Sequence, residues 1–253
     1  MWRGQGSVCY RKCLIDRTDV QDRRKMTGKL HDVRAAIDQI DDELLDLICR
    51  RMALSAEVAK AKSGAVTYRP GREAEVFTRL AARVPDLPAG VTRNIWRQIM
   101  TASSAAQDRS ITVAALANAM PAAAWHFGGQ LFVTSCQTMS AVADAMTAGA
   151  QYALALVSDS DAVARWLIAD TSCHIIAVTP FASLVGDGGS LPRCYLIGRE
   201  PADAVADETT LVACMTDGSP RIDMLAGRVD DPLANYASPA RVVGVIATPA
   251  KTD

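Results

Sequence analysis

Two basic side chains, Arg51 and Lys62, lie on one face of a long amphipathic segment near the start of the chain. Apolar residues recur at alternating steps of three and four from Leu30 to Ala61, and Arg51 occupies one of these apolar positions. Because an unpaired buried cation is costly, we expect Arg51 to meet an anion. Lys62 follows three helical turns later, about 16 Å along the axis, which leaves room for one small anion. The alternative is that Arg51 only fixes helix register or extends to the surface.

The same segment predicts a dimer. As a helix of roughly 35 residues it would be about 50 Å long, which is more than the shorter helices after it can cover. We therefore expect it to pack against a second copy. Arg34 precedes Arg51 by about 25 Å along the axis and faces about 100° away, so it cannot share the anion site within one chain. In an antiparallel pair of long helices, Arg34 of the partner subunit could enter, which predicts a composite site.

Periodicity and turn signals divide the chain into two parts. Helical patterns cover residues 27–63, 72–84 and about 89–107. Short apolar runs then occur at 111–116, 131–134, 152–157, 174–178, 194–197 and 210–214, with helical stretches at 139–148 and 162–168. That alternation is typical of an α/β domain. We predict an N-terminal extension at 1–26, an all-α three-helix domain at 27–109 and an α/β domain at 110–253.

Composition narrows the class of protein. The 253 residues carry a formal net charge of −1, which gives no bulk attraction for nucleic acid or an anionic membrane. Seven Cys are scattered without zinc-ligand spacing, so we expect no metal and a reduced, cytoplasmic protein. The basic segment before Met26 lacks the apolar centre of a secretion signal. We expect either that Met26 is the natural start or that the preceding residues are disordered.

Polar residues on the other two predicted helices extend the candidate site. Arg72 and Glu73 open the second helix, while Ser103 and Gln107 lie four residues apart on one face near the end of the third. Ser103 and Gln107 offer neutral hydrogen-bonding groups. Taken alone, these residues would be an ordinary solvated surface.

Residues 29–108 resemble the bacterial all-α chorismate mutase family, including mutase domains fused to prephenate dehydratase. The matching text is "LHDVRAAIDQIDDELLDLICRRMALSAEVAKAK", "YRPGREAEVFTRL" and "IWRQIMTASSAAQ". The resemblance implies an intertwined helical homodimer. It puts the family's active-site residues on Arg34 (from the partner subunit), Arg51, Lys62, Arg72, Glu73, Ser103 and Gln107. The departure is Arg69, where relatives often have Asp.

The resemblance also implies a reaction, the rearrangement of chorismate to prephenate in phenylalanine and tyrosine biosynthesis. This concerted intramolecular step needs no cofactor. Arg51 and Arg34 of the partner subunit would clamp the two carboxylates and select the reactive conformer. Lys62 and Gln107 would donate to the ether oxygen as negative charge develops there, and Glu73 would hold the ring hydroxyl. Gln107 is neutral, so it would donate at any physiological pH.

The region after residue 110 faintly resembles part of prephenate dehydratase, best in "LPRCYLIGRE" followed by "TTLVA". The dehydratase motif Thr-Arg-Phe reads Pro192, Arg193 and Cys194 here, and the missing Thr argues against dehydratase activity. We interpret the region as a degenerate remnant that serves stability, assembly or the binding of a regulatory amino acid. His126 and His174 are isolated, and we expect a core or surface role for each.

Three alternatives stay open at this stage. The first is a bifunctional mutase–prephenate dehydratase, which lacks its catalytic Thr. The second is an isochorismate–pyruvate lyase on the same helical fold, which also uses two Arg and a Lys. The third is a non-catalytic regulatory dimerisation module, which the presence of every basic residue of the site disfavours.

Overall fold

The N-terminal part of the chain forms three helices. The computed structural model describes residues 26–61, 68–84, 87–108, 110–181, 191–236 and 239–248. Within them, α1 spans Met26–Ala61, α2 spans Pro70–Arg83 and α3 spans Ala89–Gln107. Pro70 lies in the first turn of α2, where its missing N–H has no helical acceptor and its fixed φ favours the helix. The second helix therefore starts two residues before the predicted position.

Helix α1 contacts the rest of the chain over only about two turns. Its half-buried side chains, among those described, are Ile48, Arg51, Met52 and Ser55, and α3 packs there. The apolar residues on either side are 50–62% exposed and are called the α1 stripe: Leu30, Val33, Ile37, Ile40, Leu44, Leu47, Leu54 and Val58. A contiguous apolar face of this length on a 36-residue helix is typical of a surface that a partner covers.

A five-stranded mixed sheet, in the order β2–β1–β3–β5–β4, follows the helices. Its strands are β1 (Thr112–Leu116), β2 (Phe132–Cys136), β3 (Tyr152–Leu156), β4 (His174–Thr179) and β5 (Cys194–Gly198). Helices α4 (Met120–Phe127), α5 (Met139–Thr147) and α6 (Ser160–Ala169) connect the first four strands. Strand β1 is parallel to β2 and β3, whereas β5 is antiparallel to β3 and β4. The central strands are buried along nearly their whole length, which explains their continuous apolar runs.

A three-stranded antiparallel sheet, in the order β7–β6–β8, completes the described chain. Its strands are β6 (Glu208–Thr216), β7 (Ser219–Ala226) and β8 (Ala240–Ala247). Asp217 and Gly218 join β6 to β7 with φ values of 50° and 78°, as a two-residue hairpin turn requires.

Two contacts fix the second sheet to the first region: a guanidinium that binds carbonyl oxygens, and a close approach between the backbones of β8 and β4. Arg241 on β8 donates to four carbonyl oxygens just past and at the end of α6, those of Leu167, Asp170, Thr171 and Cys173. A cation is also favourable at the negative end of the helix dipole. A Cβ at Gly244 would collide with the backbone oxygen of Ile175 on β4, so only glycine permits this packing of β8.

The three helices share a buried core with the α/β region. Tyr68, just before α2, packs edge-on against the rings of His126 and Tyr152 and lies near Phe127. The Tyr68 hydroxyl is 2.7 Å from Nε2 of His126, and Nδ1 of His126 is 2.7 Å from Oγ1 of Thr179 on β4. His126 is 3% exposed and has the core role that the sequence predicted.

The start of α2 makes a second contact with the α/β region. Nε of Arg69 donates to Asp203 at 2.8 Å, so the residue that departs from the family pattern has a partner 134 positions away. A Cβ at Gly71 would come within 2.9 Å of the backbone oxygen of Asp203, which shows how closely the segment before β6 approaches α2. The ion pair is partly exposed and contributes at most about 1 kcal/mol, so its main effect is to orient the two segments.

The predicted helices, the six predicted strands and the helices now called α5 and α6 are confirmed to within a few residues. The sequence missed α4, β7 and β8, although the mixed α/β character of the C-terminal region is confirmed. The dimer and the domain limits stay predictions. The expected extension before Met26 and the residue Lys62 lie outside the described residues. In the described part of the chain, no helix has the length and apolar character that a membrane crossing requires.

The buried imidazole predicts a loss of stability on mild acidification. Burial, reinforced by the nearby charge of Arg97, holds the pKa of His126 well below its usual value. The unfolded chain binds a proton near pH 6.5 and the folded chain does not, so lowering the pH from 7 to 5 favours unfolding. We expect the free energy of unfolding to fall by up to about 1.4 kcal/mol per pH unit in this window.

Urea unfolding at pH 7, 6 and 5 measures this dependence. His126→Gln should be less stable than the parent at pH 7 but should show a flatter dependence on pH. Burial also lowers the pKa of His174, so a small slope should persist in that variant. If the free energy of unfolding depended equally on pH in the parent protein and in His126→Gln, His126 would not be the cause of this pH dependence.

Candidate functional site

Two hydrogen bonds join α1 to α3 in matching register. Nη1 of Arg51 donates to Oγ of Ser103 at 3.0 Å, and Nε2 of Gln107 donates to Oγ of Ser55 at 2.7 Å. Each helix contributes a residue and its neighbour four positions on, so the two helices run in the same direction here. Arg51, Ser103 and Gln107, which were predicted as site residues from the sequence, therefore lie along one line of contact between α1 and α3. This line of contact is called the seam.

Glu73 reaches this seam from the first turn of α2. Arg97 of α3 donates through Nη1 to Oε2 of Glu73 at 2.7 Å and through Nη2 to Oε1, in a bidentate pair. The two side chains are only 3% and 12% exposed, so both charges are almost removed from water. The Arg97 guanidinium also lies 5.7 Å from the centre of the Phe77 ring, which adds a cation–π contact.

The charges of Arg51, Glu73 and Arg97 act on one another. Burial lowers the pKa of Arg51, and the Glu73 carboxylate partly offsets that effect. Burial also opposes the charged form of Arg97, but Glu73 outweighs it and the pKa of Arg97 is raised. Both guanidinium groups remain cationic at neutral pH because an Arg pKa starts far above it. Two cations and one carboxylate leave a net positive charge beside the seam, which suits an anion.

The remaining predicted residues are not gathered at this seam. Arg34 lies on the exposed part of α1, away from the seam. Arg72 is exposed and donates to Glu75 on its own helix at 3.0 Å. Among the described residues, no hydrogen bond or ion pair connects Arg72 with Arg51, Glu73 or Ser103. The structure therefore brings together four of the seven predicted residues, and Lys62 lies in the segment that it does not describe.

Sequence reasoning missed Arg97 and Ser55. The spacing gave only a weak signal for Arg97, because of the residues three and four positions away on its helix face only Met100 is apolar, beside Arg93, Asn94 and Thr101. An Arg in an inward position needs an acid, and Glu73 is the acid near the start of α2. Ser55 follows Arg51 by one helical turn, but a lone Ser on a helix carries no signal of its own.

The α/β region has a separate open cavity of about 360 Å³. It lies at the carboxyl ends of β1, β2 and β3, where open α/β sheets commonly bind small molecules. Its polar lining includes Asn118, Gln137, Thr138, Asp159 and Asp161. Thr138 caps the start of α5 by accepting from the N–H of Ala141 at 3.2 Å. In the part of the chain that the structure describes, no group of three or more His, Cys, Asp or Glu side chains is placed to bind a metal.

Comparison with known proteins finds a family model that matches the helical segment. The model described as Chorismate mutase type II matches residues 33–108, which include all seven predicted site residues. A curated relative, the T-protein of Enterobacter agglomerans, is 35% identical over 82 residues. That match covers 31% of this chain and 22% of the relative, so the chain spans less than a quarter of the length of that protein.

One solved structure overlaps a larger part of the chain. It is described as "GqqA- a novel type of quorum quenching acylases", and the match covers 55% of this chain and 95% of that one. The sequence identity is 15% and the TM-score is 0.37, so this likeness carries no argument about fold or function.

The buried Arg97–Glu73 pair predicts an asymmetry between single and double substitutions. Arg97→Met leaves the Glu73 carboxylate buried without its partner and should lower the free energy of unfolding by about 3–5 kcal/mol. Combining Arg97→Met with Glu73→Leu removes both charges, and most of that loss should be recovered. Urea denaturation at neutral pH measures all the variants.

Arg72→Met is the matched control, because it breaks the exposed pair with Glu75. That change should cost no more than about 1 kcal/mol. A double variant that is as unstable as Arg97→Met alone would show that the uncompensated charge is not the cause.

Proposed function

We propose that this protein is a chorismate mutase. The observation that carries the proposal is the position of Arg51, a half-buried cation in the apolar stripe of an amphipathic helix, hydrogen-bonded to Ser103 and close to Glu73. It lies inside the segment that matches the Chorismate mutase type II family. A fixed guanidinium in a partly desolvated seam is what binding of a small dicarboxylate requires.

The proposed chemistry is positioning and electrostatic stabilisation. Arg51 and Arg34 of the partner subunit hold the two substrate carboxylates and so select the compact conformer in which the new C–C bond can form. Lys62 and Gln107 donate to the ether oxygen as the C–O bond breaks and negative charge collects there, and Gln107 gives up one of its two hydrogen bonds to Ser55 to do so. Glu73 accepts from the ring hydroxyl, and Arg72 and Ser103 complete the binding set. Every bond change occurs within the substrate, so no nucleophile is needed.

The proposal includes a homodimer. The α1 stripe is an apolar face with few neighbours of its own chain, and a second α1 in antiparallel orientation would cover it. The same arrangement brings Arg34 of the partner subunit toward Arg51, which one chain cannot do because the two residues are about 25 Å apart along α1. Burial of the stripe and completion of the site are thus one event in this proposal.

The α/β region stands in the proposal as a supporting domain that binds a regulatory amino acid. Cys194 and the neighbouring Pro192 and Arg193 stand where the dehydratase motif would be, so dehydratase chemistry is not part of the proposal. Phenylalanine and tyrosine, the end products of the pathway that chorismate mutases serve, are the ligands to add. A change in the rate of chorismate loss on adding either one would support this role.

Turnover of chorismate tests the proposed activity. We expect the full-length protein to consume chorismate and form prephenate, detected by loss of substrate absorbance and by product analysis. Lys62→Ala should lower kcat by about 100-fold or more, as loss of a donor to a developing oxyanion does, and should leave the dimer intact. Lys60→Ala removes an exposed cation two residues away and should retain activity.

The product decides between the alternatives. Phenylpyruvate would indicate the bifunctional mutase–dehydratase, and salicylate formed from isochorismate would indicate the lyase. Absence of turnover with either substrate would leave only the non-catalytic dimerisation module.

Mixed dimers test whether Arg34 acts across the interface. Arg34→Ala and Arg51→Ala should each abolish activity alone. In a mixture of the two that has been dissociated and reassembled, half of the dimers are mixed, and each mixed dimer has one intact site. Roughly a quarter of the wild-type activity should therefore return. No recovery in a mixture whose subunit exchange has been verified would show that the two residues do not complement one another between chains.

A further inference from the structure

A chain of buried polar groups leads from the α/β region to Glu73 in the helical site. Oγ1 of Thr179 is 2.7 Å from Nδ1 of His126, and Nε2 of His126 is 2.7 Å from the Tyr68 hydroxyl. The Glu73 carboxylate is near enough to act on that hydroxyl: burial first, and then the charge of Glu73, raise the pKa of Tyr68. All four residues, together with Arg97, line one small cavity.

The acceptor at the end of this chain gives it a direction. Tyr68 and Glu73 line the same small cavity, and because a carboxylate can only accept, a hydrogen bond between them has the Tyr68 hydroxyl as its donor. The Tyr68 oxygen then accepts from the N–H at Nε2 of His126, because a neutral imidazole has one donor and one acceptor. The other nitrogen, Nδ1, accepts from the hydroxyl of Thr179. Burial and the charge of Arg97 keep the pKa of His126 low, which is consistent with a neutral ring.

The contacts of Glu73 leave a defined place for substrate. Arg97 takes one lone pair of each carboxylate oxygen from α3. Tyr68, in the segment that precedes α2, lines the same small cavity. A carboxylate offers about four acceptor positions, so room remains for a substrate hydroxyl once Arg97 and Tyr68 are satisfied.

We propose that Tyr68 and His126 are positioning residues of the candidate site, which hold the Glu73 carboxylate in place and connect it to Thr179 in the α/β region. The proposal rests on the proposed function for its kinetic consequence. It gives the α/β region a direct part in the site, because two members of the chain, His126 and Thr179, belong to α4 and β4. Arg69 and Asp203 flank the same junction and keep α2 against this region.

Removal of a single hydroxyl tests the proposal in the full-length protein. Tyr68→Phe keeps the ring and removes the donor to Glu73. We expect kcat for chorismate to fall about tenfold, the size expected for one hydrogen bond to a charged group, with KM within about twofold. Tyr195→Phe makes the same change at another buried tyrosine, on β5 and outside the chain, and should leave kcat unchanged.

The far end of the chain supplies a second pair of variants. Thr179→Val removes the hydroxyl that donates to His126 and should lower kcat by a smaller factor, about threefold, because two more hydrogen bonds separate it from Glu73 than separate Tyr68. Thr179→Ser restores the hydroxyl and should restore kcat. A purely structural role would lower the melting temperature in these variants without the split between kcat and KM and without rescue by Ser, and that result would overturn the proposal.

The imidazole itself gives a readout that does not depend on turnover. In protein labelled with ¹⁵N-histidine, His126 should remain neutral with its proton on Nε2 from about pH 5 to about pH 8. A proton on Nδ1, or titration within this range, would refute the directed chain even if chorismate were consumed. A wild-type protein that does not turn over chorismate but shows this tautomer would contradict the proposed function and leave the hydrogen-bond chain standing.

Discussion

A guanidinium and a carboxylate that are both buried must recover, through their interaction with each other, almost all of the hydration free energy that they lose. In this protein Arg97 and Glu73 form such a pair. Each ion loses several kcal/mol of hydration on burial, and only bidentate geometry in a low-dielectric setting recovers it. The pair joins the first turn of α2 to the middle of α3. It therefore fixes the two short helices relative to each other, and α1 adds Arg51 to the seam.

The α/β region also uses arginine side chains, here to hold its helices and strands together. Arg241 on β8 binds four carbonyl oxygens near the end of α6. Arg199 donates to the carbonyl oxygen of Met146 near the end of α5 and to Ser172 at 3.3 Å. Carbonyl oxygens at helix ends lack partners within the helix, and guanidinium groups can satisfy several at once. In both cases one cation joins elements that local sequence would leave independent.

Much of the helical part could be predicted because its signals are local. The spacing of apolar residues from Leu30 to Ala61 gives α1, and the charge of Arg51 at an apolar position marks the seam. The hairpin of β6 and β7 also had a local signal, the Asp217–Gly218 pair, but the mixed polarity of β7 hides its strand period. Helix α4 was missed because Met120–Phe127 is apolar on nearly all sides and so lacks an amphipathic pattern.

The contacts that sequence could not supply are those between distant segments. Tyr68 meets His126 across 58 residues, and His126 meets Thr179 across 53. Neither residue type implies the other, and no spacing rule connects them. Arg97 and Glu73 are 24 residues apart, on two helices whose relative placement no period encodes. Pairing of this kind follows from how the elements pack, which is decided by the core as a whole.

The burial of Tyr68 has a consequence for how such a chain can be rearranged by recombination. If the chain were cut at the end of α3, the ring of Tyr68 and the inner side of α2 would become exposed to solvent. The helical segment therefore cannot be moved to another protein without losing these contacts, although a family model can delimit it in the sequence. Any new fusion partner would need to bring its own imidazole, or an equivalent acceptor, to the same spot.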